Sequence, residues 1–284
     1  MVKVIATISL KGGVGKTTVT AGVAEFLAGE FGKRVLLIDL DSQINLTTMM
    51  IGEKRWFELN ESGATLAALF NDAVDGTAHF AVDRAVQRSV SPVDRVATVD
   101  LLPSSLDLIE VQEELSALRV RADDTLAAVT ILGNAITPIA ASYDYILIDC
   151  PPNMGPITLN GLAMADGYLI PTIPDVLSTY GIPQIQRRVK EFSDEIGRQI
   201  IELGVVITKF RSNSTVHQTT VMRLRRDPSI QNVLPTYLHE SNSIAGAAEY
   251  RPYGTLKIKY GTHGQFDQFR GLAQNIIVEA QDKL

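Results

Sequence analysis

KGGVGKTT, residues Lys11 to Thr18, decides how this chain folds. Before it runs VKVIATI, Val2 to Ile8, a β-branched stretch that predicts a strand. After it, Thr17 to Ala28 carries Val19, Val23, Phe26 and Leu27 on one side of a predicted helix. Strand, glycine-rich loop and helix in that order are the setting a phosphate-binding loop needs. Gly12, Gly13 and Gly15 permit backbone angles and close approaches that a Cβ would block. Their N–H groups, with those of Val14 and of the helix start through Thr18, can converge on phosphate oxygens. Lys16 then supplies a point charge to the β- and γ-phosphates, and the Thr17 hydroxyl is placed to hold Mg²⁺. The loop predicts a protein that binds Mg²⁺ with ATP or ADP.

Outward from the loop, short apolar runs alternate with helical patterns. That alternation predicts an α/β fold, a mostly parallel twisted sheet with helices on both faces. Further strands are expected at Val35–Ile38, Val96–Leu102, Tyr145–Ile148, Tyr168–Pro171 and Val205–Ile207. Helices are expected at 106–118, 125–141, 179–200, 215–226 and 266–283. Residues 52–95 are the least legible stretch, and their Trp56 reads as a packing residue. No linker-like segment or repeat interrupts the 284 residues, so a single domain, 1–284, is expected, with no helix-turn-helix module ahead of the first strand.

Composition narrows the function classes. A net charge of −6 argues against a globally basic nucleic-acid binder but leaves room for a local basic face. The lone cysteine, Cys150, excludes an intrachain disulfide framework and a multi-cysteine metal site within one chain. No apolar run has the length of a bilayer span, and the N-terminus has no signal-peptide pattern, so a cytoplasmic protein is expected.

The loop departs from the general pattern in one informative way. Leu10 stands where glycine is usual, and Lys11 adds a second lysine. Loops of this kind resemble the deviant Walker A motif of the ParA/MinD family of ATPases. The resemblance implies that Lys11 reaches across an ATP-dependent homodimer to the partner's phosphates, a catalytic role in trans. It continues in VLLIDLDSQINLT, Val35 to Thr47, which looks like the family's first switch, with Ser42 and Ile44 in place of its Pro and Gly. By similarity Asp39 lies near the metal and Asp41 handles the attacking water, while Ile44 is expected to stiffen the switch. YDYILIDCPPNMGPITLNGL, Tyr143 to Leu162, looks like the Walker B strand and second switch, with Asp149 holding Mg²⁺ through water. Cys150 beside it is read as packing. Thr208 and Lys209 stand where the family meets adenine, and Pro235 matches a looser segment that does the same.

Several functions share such a core. One cysteine does not suffice for iron–sulfur reductases of the nitrogenase type. The last helix mixes Glu279 and Asp282 with Arg270 and Lys283, which suits packing on its own domain better than an anionic membrane, so no membrane partner is expected. Basic residues gather at Arg187, Arg188, Arg223, Arg225 and Arg226. The resemblance then points to a ParA/Soj-type partition ATPase, whose ATP-bound dimer binds double-stranded DNA non-specifically over the nucleoid until a centromere-binding partner stimulates hydrolysis. A MinD-like or organelle- or cargo-positioning ATPase is the alternative, and a metabolic ligase or kinase on the same core a third.

Overall fold

The computed structural model describes residues 1–121 and 126–284. Among them, β1 (Lys3–Thr7), β2 (Val35–Asp39), β3 (Val99–Leu102), β4 (Tyr145–Asp149), β5 (Gly167–Thr172) and β6 (Ile201–Ile207) form one sheet. The strand order is β3-β2-β4-β1-β5-β6, and each neighbouring pair is parallel. Up to β4 the helices are α1 (Lys16–Gly29), α2 (Asn45–Glu61), α3 (Leu66–Asp75), the single turn α4 (Val82–Ala85), α5 (Leu108–Arg121) and α6 (Ile131–Ala140). Then come α7 (Pro156–Met164), the short α8 (Val176–Thr179), α9 (Gly181–Glu195), α10 (Thr215–Arg226), the short α11 (Asn242–Gly246) and α12 (Leu256–Tyr260), and α13 (Gln265–Lys283).

The strands are nearly all apolar because both faces of the sheet are covered. Along β2, Leu36 and Ile38 enter one core while Val35 and Leu37 enter the other, as the two-residue period of a strand requires. The first core receives α3, α4, α5, α6, α7, α9 and α10, and the second receives α1, α2, α12 and α13. α1 leads from β1 to β2 and α7 leads from β4 to β5, so these crossovers run in opposite directions along the sheet. Crossovers of one hand running in opposite directions cover opposite faces, and a crevice opens between β1 and β4 at their carboxyl ends.

The expected strands and long helices are present, with shifted ends. β6 begins at Ile201, upstream of the expected Val205; Glu202 and Gly204 interrupt the apolar pattern and mask its first half. The helix expected over 179–200 ends at Glu195, where Gly197 turns to φ 65° and releases the chain into β6. The helix expected from 125 starts at Ile131 after a 3-10 turn at Ala127–Val129. Thr125, its expected first residue, lies outside the described residues. The illegible 52–95 stretch holds the end of α2, α3, α4 and a segment that covers the β3 edge, where Gln87 and Leu101 exchange backbone hydrogen bonds of 2.8 Å. α2 kinks at Gly52, whose φ of 75° disfavours a side chain and where a Cβ would come within 2.6 Å of the Tyr250 ring. Trp56 is half-buried and its indole N–H donates to the Ser104 carbonyl at 3.2 Å.

α13 lays Phe269, Leu272, Ile276 and Ile277 into the second core, and the Phe269 ring stacks on Phe26 of α1 at 5.6 Å. Its apolar face is therefore occupied, as its mixed charge suggested. Among the described residues no helix is long and apolar enough to cross a membrane. Beneath α1 sits a buried ion pair. Glu25 accepts from Lys259 Nζ at 2.9 Å, from the Tyr260 hydroxyl at 2.6 Å and from the Ser91 hydroxyl at 2.6 Å. Burial lowers the Lys259 ammonium pKa against the pull of Glu25. Removing one partner of such a pair strands the other charge, at a cost of about 3–5 kcal/mol, whereas an apolar pair of similar volume is tolerated. In urea unfolding, Lys259→Met should therefore cost about that amount and Glu25→Leu with Lys259→Met distinctly less.

Candidate active site

The loop from β1 to α1 brings Gly13 to φ 74° and Gly15 to φ 87°, the left-handed region that glycine enters without strain. Gly15 is the N-cap of α1 and no side chain caps the helix, so the N–H groups of its first turn face the loop. Lys16, at 7% exposure, is buried beneath them. The Thr17 hydroxyl donates to Asp149 Oδ2 at 2.6 Å, and the Thr20 hydroxyl donates to the Lys16 carbonyl at 3.0 Å. From the other side the end of β6 straps the loop, with the Thr208 hydroxyl donating to the Val14 carbonyl at 2.7 Å and Lys209 Nζ to the Gly13 carbonyl at 2.8 Å. A cavity of about 260 Å³ opens there, between Gly15, Thr18, Thr208, Lys209, Leu238 and His239. Pro235 is exposed and does not line it; Leu238 to Asn242, Ile244 and Ala245, further along the same segment, do.

Asp39 and Asp149 end β2 and β4 in register, side by side at the carboxyl edge. Both are fully buried. Asp39 Oδ2 accepts from the Thr47 N–H at 2.8 Å and the Thr47 hydroxyl at 2.7 Å, and Oδ1 accepts from the Asp41 N–H at 3.2 Å. Burial, then the Asp149 charge, holds the Asp39 carboxyl well above the usual carboxylate range. Burial likewise pushes Asp149 up to about 7, against the pull of the Thr17 hydroxyl and the Lys16 charge. Asp41, 7% exposed, accepts the Gln43 N–H at 3.0 Å, and its carbonyl accepts the Ser104 hydroxyl at 2.8 Å. Ile44 closes this turn at φ 53°, ψ 20°, a strained conformation for a β-branched residue.

The remaining sequence candidates lie around this centre. Gly12 is exposed at the loop tip. Lys11 is half exposed and meets Ser178 and Asp175 of its own chain. The Cys150 thiol is buried in the first core, where burial pushes its pKa up. Arg187 and Arg188 lie exposed on α9, and Arg223, Arg225 and Arg226 on α10, two helices that pack on the same sheet face. Arg225 lies over the Tyr237 ring at 5.4 Å. The side chains that sequence reasoning missed are those that hold the others, Thr47, Ser104, Asp175 and Ser178. Of these only Asp175 and Ser178 carried a local signal, the Asp-x-x-Ser spacing of a helix cap.

The raised Asp149 pKa makes a signed prediction. Its fold keeps a proton that the unfolded chain releases, so its contribution to stability is present at low pH and is lost as pH rises toward and past about 7. Asp149→Asn keeps a neutral acceptor for the Thr17 hydroxyl. In the absence of nucleotide it should raise the melting temperature by several degrees at pH 8, with the gain shrinking as pH falls below about 7 and vanishing only below about pH 4. Equal melting at both pH values would show that the carboxyl is not strained by its burial.

This geometry has known relatives. A family model described as an AAA domain matches residues 2–202. An uncharacterized protein of Mycobacterium tuberculosis is 33% identical over 78% of this chain, and the match spans 62% of that longer relative. The chromosome-partitioning ATPase Soj of Thermus thermophilus is 30% identical over 99% of this chain and 98% of its own. Among solved structures, Cyanothece McdA superposes with a TM-score of 0.76 at 23% identity, over 97% of this chain and all of that one. Cobyrinic acid a,c-diamide synthase of Mycobacterium smegmatis, solved with an ATP analog and magnesium, reaches 0.73 at 23% identity, over 96% and 93%. At that identity the structural matches speak for the fold, while the sequence matches carry the assignment: the chain belongs to the AAA-domain family and, within it, to the ParA/Soj type of P-loop ATPase.

Proposed function

We propose that this chain is an ATP hydrolase that works as a DNA-partition switch. The observation that carries the reading is the convergence of Lys16, Thr17, Asp149, Asp39 and Asp41 at one crevice of a ParA/Soj-type sheet, with the Thr17 hydroxyl 2.6 Å from Asp149. Buried carboxylates held above their usual range are a site short of positive charge, and a hard divalent cation suits a hydroxyl and carboxylate donor set. Thr17 and Asp149 would hold Mg²⁺, with Asp39 behind them. Bound there, Mg²⁺ neutralises charge on the β- and γ-phosphate oxygens.

The chain's own groups then divide the work. The loop N–H groups from Gly12 to Thr18 and the Lys16 ammonium bind the phosphates. The cavity edged by Thr208, Lys209 and Leu238 takes the base. Asp41, fixed by Gln43 and Ser104, orients the attacking water, and Lys11 stabilises the developing charge from across a homodimer. Such a dimer would be the form that binds DNA in the cytoplasm, over the nucleoid, until a centromere-bound partner protein stimulates hydrolysis.

The DNA face would be Arg187, Arg188, Arg223, Arg225 and Arg226, on two helices of one sheet face. Affinity from phosphate contacts alone ignores base sequence and falls steeply with salt, about −0.9 in log–log slope per contact. Two weak monomer patches act as one bivalent surface only in the dimer, so binding should need ATP. In salt titrations on random duplex, Arg225→Ala with Arg226→Ala removes up to about four contacts per dimer and should flatten the slope by up to about 3.6. An unchanged slope would move the DNA face to other residues, equal binding in ATP and ADP would remove the ATP-dependent switch, and absence of DNA binding would favour a cargo-positioning ATPase.

A further inference from the structure

Lys11 is engaged within its own chain. Its Nζ donates to the Ser178 hydroxyl at 2.8 Å and lies 3.6 Å from Asp175 Oδ1. Asp175 is the N-cap of α8, accepting the Ser178 N–H at 2.6 Å through Oδ1 and the Ser178 hydroxyl at 2.9 Å through Oδ2. The hydroxyl thus accepts from the lysine and donates to the carboxylate, so the three groups form a closed ring of polar contacts. Partial burial pushes the Asp175 carboxyl up, but the Ser178 N–H and hydroxyl and the Lys11 charge outweigh it and keep the group below the usual carboxylate range. The contact joins the tip of the phosphate loop to the segment that follows β5, 167 residues away. That segment also carries an uncovered apolar surface, with Leu177 75% and Tyr180 68% exposed beside Val176.

We propose that Asp175 and Ser178 form a cis latch on Lys11, which must open before the lysine can serve a second copy of this chain. The inference rests on the trans role given to Lys11 above. One ammonium cannot occupy both places, so whatever the latch contributes opposes closure once for each subunit. The exposed Val176, Leu177 and Tyr180 lie next to the latch, where a second copy reached by Lys11 would cover them. The latch also separates the two nucleotides. The extra charge of a triphosphate competes for the ammonium where a diphosphate competes less, so closure is kept for ATP. With both partners more than a third exposed, the pair is weak, roughly a 1.4- to fivefold effect per subunit and hence about 2- to 25-fold on a dimer.

The test is Asp175→Asn, which removes the charge but keeps an oxygen for the Ser178 N–H, so the cap and the melting temperature should hold. Dimerisation is followed by analytical ultracentrifugation with a non-hydrolysable ATP analogue and with ADP. The variant should dimerise about 2- to 25-fold more tightly with the analogue and acquire some dimer in ADP. The gain should shrink at high salt, as an exposed ion pair requires. Asp175→Glu should return toward wild type, and in a Lys11→Ala background Asp175→Asn should add nothing. A Lys11-dependent dimer that Asp175→Asn leaves unchanged or weakens would overturn the latch alone. Absence of any analogue-driven dimer in the wild type would remove the trans role of Lys11, and the latch with it.

Discussion

Two carboxylates buried side by side at the carboxyl edge of β2 and β4 are the constraint around which the rest of the molecule is arranged. Asp39 and Asp149 pair in register, neither is exposed, and both are held above the range where a carboxyl ionises in water. Burying such charge is unfavourable unless hydrogen bonds and opposite charges meet it. Thr47 meets Asp39 twice, Thr17 meets Asp149, and the buried Lys16 lies close enough to draw the Asp149 carboxyl back down. What remains unbalanced is negative, and it sits where the loop N–H groups gather. A site of this kind fits a divalent cation brought in with a polyphosphate. Its ligand-free stability is sacrificed for that purpose, a trade often found at functional sites.

The sheet is what permits so strained an arrangement. Parallel strands with apolar side chains on both faces fix the ends of β1, β2 and β4 relative to one another. α1, which delivers Lys16 and Thr17, is anchored at its far end by the Glu25, Lys259 and Tyr260 cluster and along its length by Phe269 of α13. Gly22 is part of that anchoring, since a Cβ there would come within 2.2 Å of the Phe269 ring. Rigid support at the back of α1 thus faces a strained turn at Asp41 to Ile44 in front, where Ile44 holds a left-handed conformation.

How much of this was legible in the sequence follows from how local each signal is. The loop, Asp39 at the end of an apolar run and Asp149 at the end of another are contiguous patterns, and each sits where the pattern places it. The parallel α/β sheet followed from the alternation of strands and helices for the same reason. The supports were not legible. Thr47 reaches back eight residues to Asp39, Ser104 reaches 63 residues to Asp41, and Lys259 reaches 234 residues to Glu25. Such pairings exist only once the topology has brought the elements together. Glu202 and Gly204 hid the first half of β6, and the cavity beside Thr208 proved to be lined by residues beyond Pro235.

The central claim is that the loop from Lys11 to Thr18 exists to hold the phosphates of ATP with Mg²⁺, and Lys16 is its most exacting test. Calorimetric titration of Mg·ATP into wild type and Lys16→Ala addresses it directly. With the buried ammonium gone, the anionic edge has lost its principal counter-charge, and affinity should fall at least 100-fold, about 2.7 kcal/mol. Wild-type affinity in Lys16→Ala, with the fold intact by circular dichroism, would contradict the account.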